Sequence, residues 1–301
     1  MRIGVTLPLD DADSPGTVGT WPEIRAVALA AEAAGFDSAW GYDHLLFRDD
    51  DGETGIHEVW TILSALAAAT TTLRLGILVV CTGFRNAAML AKMAGTLDHV
   101  SDGRFVLGLG CGWHDPEFEA FGYPTDHKVG RFEESLTVIH GLLRGERVTF
   151  DGRWVQARDA VLLPPARPDL PILIAAKGPR MLELTARYAD VWNEAWFGMP
   201  DERWAGLNRD LTAACQAVGR DPATLERTVG VNVRIESLLP AGREPGTGNA
   251  LTGDATAIAD GIRAYAAEGV SELIAALEPC TPAAVAAFAE AVAVARERGL
   301  D

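Results

Sequence analysis

Short apolar runs rich in branched residues alternate along this chain with longer segments that have the periodicity of helices. Eight apolar runs occur, at residues 2–7, 37–42, 73–80, 104–109, 171–175, 190–193, 228–235 and 271–277. The intervening segments, such as 21–34, 59–71, 87–100, 131–143, 202–218 and 255–268, are rich in Ala, Leu, Glu and Arg, which lose little rotamer freedom in a helix. Because parallel strands need a crossover between them, this alternation predicts an α/β fold, the (β/α)8 TIM barrel.

The length of the chain fits one such barrel with insertions. It has 301 residues, against roughly 250 for a typical barrel, so we expect a single domain over residues 1–301. Two segments hold the excess. In residues 145–169, strands at 148–150 and 154–155 are predicted to form a hairpin, and residues 239–254, rich in Gly and Pro, are predicted to form a mobile lid.

Composition excludes several classes of protein. The chain is 48% hydrophobic but has no apolar run of about 18 residues, so we expect a cytoplasmic protein without a membrane span. A net charge of −16 argues against a nucleic-acid partner, because phosphate backbones are bound by clustered Lys and Arg. The four cysteines are scattered, without the paired spacing of a zinc site or a disulfide framework. No metal is therefore expected.

Two loops at the C-terminal ends of strands suit an anion, and in a TIM barrel this end carries the chemistry. The run Gly-Leu-Gly-Cys-Gly-Trp-His at 108–114 follows the fourth predicted strand, and Ala-Lys-Gly-Pro-Arg at 176–180 follows the fifth. Glycines let backbone N–H groups approach a phosphate, and a helix that begins beyond them adds its positive dipole end. The alternative is that the glycines only permit tight turns.

The pair Asp43-His44, after the second predicted strand, is the main candidate for catalysis. A histidine can give or take a proton near neutral pH, and a neighbouring acid can orient it or bind a ligand. His114 is a second candidate for this role, because it stands at the end of the glycine-rich run, next to Trp113. A structural histidine that caps a loop is the alternative.

Aromatic residues near the predicted mouth of the barrel indicate a fairly apolar substrate cavity. They are Phe47, Trp60, Phe84, Trp113 and Trp196. Ordinary core packing is the alternative for each of them.

Several longer motifs carry a resemblance to a known family. They are Arg2-Ile3-Gly4-Val5, Ala-Glu-x-x-Gly-Phe-Asp-Ser-x-Trp at 31–40 leading to Asp43-His44, Arg74-Leu75-Gly76, Gly103-Arg104-Phe105 running into the glycine-rich segment, Gly130-Arg131-Phe132, and Tyr188-Ala189-Asp190-Val191-Trp192-Asn193. Together they resemble the bacterial-luciferase-like oxidoreductases, over residues 2–193 and more loosely beyond. Within that family the chain is most similar to the branch that uses the deazaflavin coenzyme F420, with FMN-dependent monooxygenases as the sister branch.

The resemblance implies a ring at the barrel mouth and a phosphate held by the loops after the fourth and fifth strands. It also implies a non-prolyl cis peptide within residues 78–81 of the third strand, and a homodimer. The long apolar helices predicted at 59–71 and 87–100 offer a surface for such a dimer. The residues expected to contact the cofactor are Asp43, Val80, Cys81, Thr82, Gly110, Cys111, Gly112, Trp113, Arg131, Ala176, Lys177, Gly178 and Pro179.

The mechanism implied is hydride transfer between C5 of bound F420 and an organic substrate. His44 would donate or accept the proton, and Asp43 would hold either the ring or the histidine. Two alternatives remain open: an FMN-dependent monooxygenase on the same fold, and a flavin-binding relative without catalytic activity.

Overall fold

A closed barrel of eight parallel strands forms the centre of the protein. The computed structural model describes residues 1–10, 18–49, 52–241 and 248–300. The barrel strands within these ranges are β1 (Arg2–Thr6), β2 (Ser38–Gly41), β3 (Arg74–Ile77), β4 (Phe105–Gly110), β5 (Ile172–Ala175), β6 (Val191–Phe197), β7 (Glu226–Arg234) and β8 (Glu272–Glu278). Each strand pairs in parallel with the next, and β8 pairs with β1 to close the ring. The predicted TIM barrel is confirmed.

Helices cover the outside of the barrel. They are α1 (Trp21–Ala33), α2 (Val59–Ala69), α3 (Ala87–Val100), α4 (Asp115–Phe121), α5 (Lys128–Leu143), α6 (Pro179–Tyr188), α7 (Glu202–Ala217), α8 (Ala255–Ala267) and α9 (Pro282–Glu297). The outward side chains of the strands pack against these helices in one large apolar core. None of the helices in the described ranges is long and apolar enough to span a membrane. Helix α4 was not predicted, because seven residues are too few to establish a helical period.

The insertions follow the prediction only in part. Residues 148–151 pair antiparallel with Gln156–Ala160. The second strand of the hairpin was predicted at residues 154–155 and therefore begins two positions later than predicted. Glu134 explains the shift, because its carboxylate accepts the backbone N–H groups of Arg153, Trp154 and Val155 at 2.7–2.9 Å. Of the predicted lid, residues 242–247 lie outside the described residues, and Leu251 is buried beside β7.

The N-terminal end of the barrel is closed by buried polar and aromatic side chains. The carboxylate of Glu272, which is 1% exposed, accepts bonds from Arg2 Nε at 3.1 Å and Arg74 Nη1 at 3.4 Å. Above it lies the ring of Trp40, for which Gly76 leaves room, since a Cβ there would stand 2.2 Å from the ring. Among the described residues, the barrel interior is therefore filled at the level of Trp40.

Candidate active site

An inner cavity of about 570 Å³ occupies the C-terminal end of the barrel. Leu78 and Val79 of the segment after β3 line it, and they pack against the interior cluster around Trp40. Phe47, Trp113 and Trp196 add aromatic walls, as predicted. Trp60 and Phe84 do not line it: Trp60 packs on Phe105, and Phe84 packs on Phe118 and Tyr123. For those two aromatics the core-packing alternative is correct.

The segment after β3 explains why two positions of the glycine-rich run, Gly108 and Gly110, are glycine. The Leu78–Val79 peptide is cis, within the range expected, and Val80–Cys81 then pairs with Leu109–Gly110. Gly108 and Gly110 lie inside β4 rather than in a loop. A Cβ on Gly108 would stand 1.9 Å from the carbonyl oxygen of Ile77, and one on Gly110 would stand 2.5 Å from Val79 Cγ2. These two glycines are therefore required by the close approach of the third strand.

His44 lines the cavity and is held by a carboxylate that the sequence did not indicate. Its Nδ1 lies 2.9 Å from Oε1 of Glu117, and the other oxygen of Glu117 accepts the N–H of Leu45 at 2.8 Å. Glu117 belongs to α4 and is 1% exposed. The imidazole also packs against Phe47 and Trp113, with ring centroids 4.4 and 5.5 Å away. The histidine is thus fixed on three sides, with Nδ1 committed to Glu117.

Asp43 has a different partner from the histidine. Its two oxygens accept a bidentate pair of bonds from Arg85 at 2.6 and 3.0 Å, and Oδ2 also accepts the N–H of Cys81 at 3.0 Å. Burial raises the pKa of the Asp43 carboxyl, and the bonds from Arg85 and Cys81 oppose that rise. Asp43 is therefore anchored to the end of the third strand, and it is Glu117 that holds His44.

Arg85 connects Asp43 to the start of α2. Its Nη2 also donates to Oε1 of Glu58 at 2.9 Å, and Glu58 caps α2 by accepting the N–H of Thr61 at 2.8 Å. Burial alone would lower the pKa of the Arg85 guanidinium, but its bonds with Asp43 and Glu58 raise it above the ordinary value. Arg85 stays charged and ties the second and third loops together.

The remaining residues expected from the third strand lie at different depths. Cys81 lines the cavity, whereas Val80 and Thr82 are buried beside it, and the hydroxyl of Thr82 donates to the carbonyl of Gly110 at 3.3 Å. Burial raises the pKa of the Cys81 thiol to about 12. The thiol is therefore neutral at physiological pH and is not a nucleophile.

An outer basin of about 470 Å³ adjoins the inner cavity and shares Trp113 with it. It lies at the N-terminus of α5, where Lys128 lines it, and Arg180 of α6 and Trp154 of the hairpin complete the wall. Lys128 pairs with Asp115, and Arg180 pairs with Glu133. The first N–H groups of a helix lack intrahelical acceptors, so the basin combines cations with helix-end donors. Lys128 was not among the residues expected from the sequence.

The other residues expected at the phosphate do not line this basin: Gly112 lines the inner cavity, and Cys111, Ala176, Lys177, Gly178 and Pro179 line neither of the two cavities. Gly178 caps α6, and a Cβ there would meet nothing within 4 Å, so its backbone is accessible. Lys177 and Pro179 are exposed next to it, and Cys111 and Gly112 are half-buried. Ala176 is buried, and its carbonyl accepts the indole N–H of Trp192 at 2.8 Å. The loop after β4 thus reaches the basin through Trp113, and α6 reaches it through Arg180.

Arg131 lines neither of these two cavities. Its Nη2 donates to Asp126 Oδ1 at 2.8 Å, and its guanidinium stacks over Trp154, 5.5 Å from the ring centroid. His114, the competitor of His44, also lies outside the inner cavity. Its Nε2 accepts the N–H of Arg48 at 3.0 Å. Of the two histidines, His44 is the one placed for chemistry in the cavity.

The comparisons with known proteins agree with this architecture. A family model described as luciferase-like monooxygenase matches residues 1–237. The chain belongs to this family. Among solved structures, an F420-dependent secondary alcohol dehydrogenase in complex with an F420-acetone adduct superposes with a TM-score of 0.79 at 18% identity, over 98% of this chain and 99% of that one. The riboflavin lyase RcaE superposes with a TM-score of 0.81 at 16% identity, over 100% and 92%. At such identities the likeness shows the shared fold.

Two curated relatives are closer in sequence. A 5,10-methylenetetrahydromethanopterin reductase of Methanolobus tindarius is 34% identical over 205 residues, which are 68% of this chain and 59% of the relative. A phthiodiolone/phenolphthiodiolone dimycocerosates ketoreductase of Mycobacterium tuberculosis is 38% identical over 246 residues, which are 75% and 63%. The chain therefore spans about 60% of the length of the curated relatives it matches.

Proposed function

We propose that the protein is an oxidoreductase that uses coenzyme F420 and transfers a hydride between the deazaflavin and an organic substrate. The observation that carries this proposal is the His44–Glu117 pair beside the inner cavity, 2.9 Å apart. The names of the relatives support it, since both curated relatives are reductases and one neighbouring structure is named as F420-dependent.

The two adjoining cavities fit such a cofactor. The inner cavity has an apolar wall at Leu78 and Val79, which suits one face of a flat ring system. The outer basin has Lys128, Arg180 and a helix N-terminus, which suit a phosphate group. Trp113 belongs to both, so a ring and a phosphate tail can be held by one continuous surface.

The chain's own contribution is orientation, exclusion of water and proton transfer. When bound, the deazaflavin would supply the hydride donor or acceptor. Glu117 engages Nδ1 of His44, so the imidazole is oriented with Nε2 as the atom that exchanges a proton with a substrate oxygen. The aromatic side chains of Phe47 and Trp113 pack on the imidazole and restrict water around it.

Separate titrations of the purified protein with F420 and with FMN test the cofactor. We expect F420 fluorescence to be quenched with a micromolar dissociation constant, and FMN fluorescence to stay unchanged over the same range. Tighter binding of FMN would contradict the proposal and favour the monooxygenase alternative. Oxidation or reduction of F420 with any alcohol or ketone would exclude a purely flavin-binding role.

The phosphate contact is tested by two variants. Lys128→Ala should weaken F420 binding about tenfold, because a charge-assisted hydrogen bond to a phosphate contributes roughly 1.5–3 kcal/mol. Arg131, expected from the sequence to make this contact, does not line the basin and is bonded to Asp126. Arg131→Ala should therefore weaken binding less than Lys128→Ala does. The reverse order, with both variants folded by circular dichroism, would place the phosphate at Arg131.

We also propose that the protein is a homodimer that associates through α2 and α3. Met89 and Val100 of α3 are 58% and 51% exposed, and a groove of about 530 Å³ runs between the two helices. The buried indole N–H of Trp60 beside this groove has no hydrogen-bond partner within the described part of the chain. In sedimentation equilibrium, Met89→Glu should yield a monomer and Met199→Glu should stay dimeric. A monomeric wild-type protein would contradict the proposal.

A further inference from the structure

The inner cavity is acidic. Among the described residues, four carboxylates line it, namely Asp10, Asp43, Glu117 and Glu194, and no lysine or arginine does. The only imidazole among these lining residues is that of His44. A negatively charged ligand that enters this partly closed cavity is repelled by these carboxylates more strongly than it would be in bulk water.

Two of these carboxylates, Asp43 and Glu194, pair with arginines that do not line the cavity. Arg85 bonds Asp43 from the side of α2. Arg203 donates to Oε1 of Glu194 at 3.1 Å and to the carbonyl of Ala195 at 2.8 Å, and its guanidinium stacks 4.1 Å from the ring centroid of Phe197. Both guanidiniums are thus already engaged by acceptors of the protein, and neither lines the cavity as a partner for an anionic ligand.

The outer basin differs, because Lys128 and Arg180 line it together with one carboxylate, Asp115, which pairs with Lys128. Among the described residues that line the two cavities, lysine and arginine occur only on the basin side of Trp113, which is 69% exposed and belongs to both cavities. An anionic group is therefore favoured in the basin and disfavoured beside His44. The inner cavity offers aromatic surfaces at Phe47, Trp113 and Trp196 instead, whose faces accept apolar groups and cations.

We propose that the substrate which reaches His44 is an organic molecule without a negative charge, and that the acidic wall rejects carboxylates and phosphate esters. This inference rests on the proposed function for the identity of the site, because it assigns the substrate class of the same cavity. Neutral ketones, alcohols and cationic amines satisfy it. Repulsion of the wrong ligand is one of the ways in which a binding site sets its specificity.

Three probes of similar shape test the charge preference: phenylacetamide, phenethylammonium and phenylacetate. Their dissociation constants are measured by ligand-observed NMR on the full chain, with and without saturating F420. We expect phenylacetate to bind at least fivefold more weakly than the other two at low ionic strength. The difference should shrink as salt is added, because screening reduces repulsion between charges.

A matched pair of variants tests whether the carboxylates that line the cavity cause the discrimination against phenylacetate. Glu194→Gln should reduce the discrimination against phenylacetate by at least half, since it removes one lining charge and frees Arg203. Glu202→Gln, an exposed position on the first turn of α7, should leave it unchanged. Phenylacetate binding within fivefold of phenylacetamide, or a discrimination that Glu194→Gln does not change, would overturn the inference. Failure of F420 to bind would overturn the proposed function alone, because the probe constants are also measured without cofactor.

Discussion

Replacing His44 by alanine should lower kcat by about 10² to 10⁴ while the affinity for F420 stays within a few-fold of wild type. The expected loss follows from the removal of the one imidazole that lines the inner cavity among the described residues. Contacts of the ring and the phosphate with the rest of the two cavities are retained. Because proton transfer belongs to the transition state, kcat and kcat/KM should fall together. Steady-state kinetics and a fluorescence titration of the variant give both quantities.

Two further variants control this result. His114→Ala should turn over at near the wild-type rate, because Nε2 of His114 is bonded to the backbone of Arg48 outside the cavity. Glu117→Gln retains a hydrogen-bonding group at Nδ1 of His44 but loses the negative charge, so its kcat should lie between those of wild type and His44→Ala. If His44→Ala retained full turnover and His114→Ala did not, His114 would be the proton-transferring residue.

The barrel could be predicted because every repeat carries the same signal. Strands covered on both faces are almost wholly apolar, and each is followed by a segment with a helical period. All eight predicted strands overlap observed ones, although β6 extends to Phe197 and β7 begins at Glu226. Strand ends depend on the pairing of neighbours across the barrel, such as Glu226 with Val191, which a local pattern does not contain.

The site was harder to predict, because neighbours in sequence were assumed to be partners. Asp43 and His44 follow the end of β2, outside the strand, and the two side chains have different partners. Asp43 meets Arg85, while His44 meets Glu117, which lies 73 positions further along the chain. Glu117 sits on a seven-residue helix that gave no periodic signal. The contact between His44 and Glu117 forms because the barrel brings two loops together, and a local sequence pattern does not contain that information.

The glycine-rich run shows a related difficulty. Glycines permit both phosphate binding and close backbone packing, and the spacing alone does not separate the two. Gly108 and Gly110 serve packing against the third strand, whereas a Cβ on Gly178, just before α6, would meet nothing within 4 Å. The expected anion site thus depends less on the run at 108–112 than on the ends of α5 and α6.

Replacing Arg85 by methionine should lower the free energy of unfolding by about 3–5 kcal/mol at neutral pH, because it leaves the buried carboxylate of Asp43 without its cation. Burial already raises the pKa of Asp43, and loss of Arg85 removes the main opposing interaction. An acid whose pKa is higher in the folded state destabilises the fold as pH rises from its unfolded value through its folded value. The defect of Arg85→Met should therefore be largest at neutral pH and shrink as pH is lowered through the raised pKa of Asp43, where the carboxyl takes up a proton.

Urea unfolding at several pH values measures this effect, and a second substitution identifies its source. The double variant Arg85→Met/Asp43→Asn should be more stable than Arg85→Met alone at neutral pH, and its deficit should no longer depend on pH in this range, since no unpaired charge remains. Arg147→Met breaks the exposed pair with Asp159, 2.8 Å long, and should cost less than about 1 kcal/mol. If Arg85→Met also lowered the free energy of unfolding by less than about 1 kcal/mol, the Asp43 carboxylate would not depend on Arg85 for its stabilisation. In that case the pair would not be what anchors the end of the third strand beside His44.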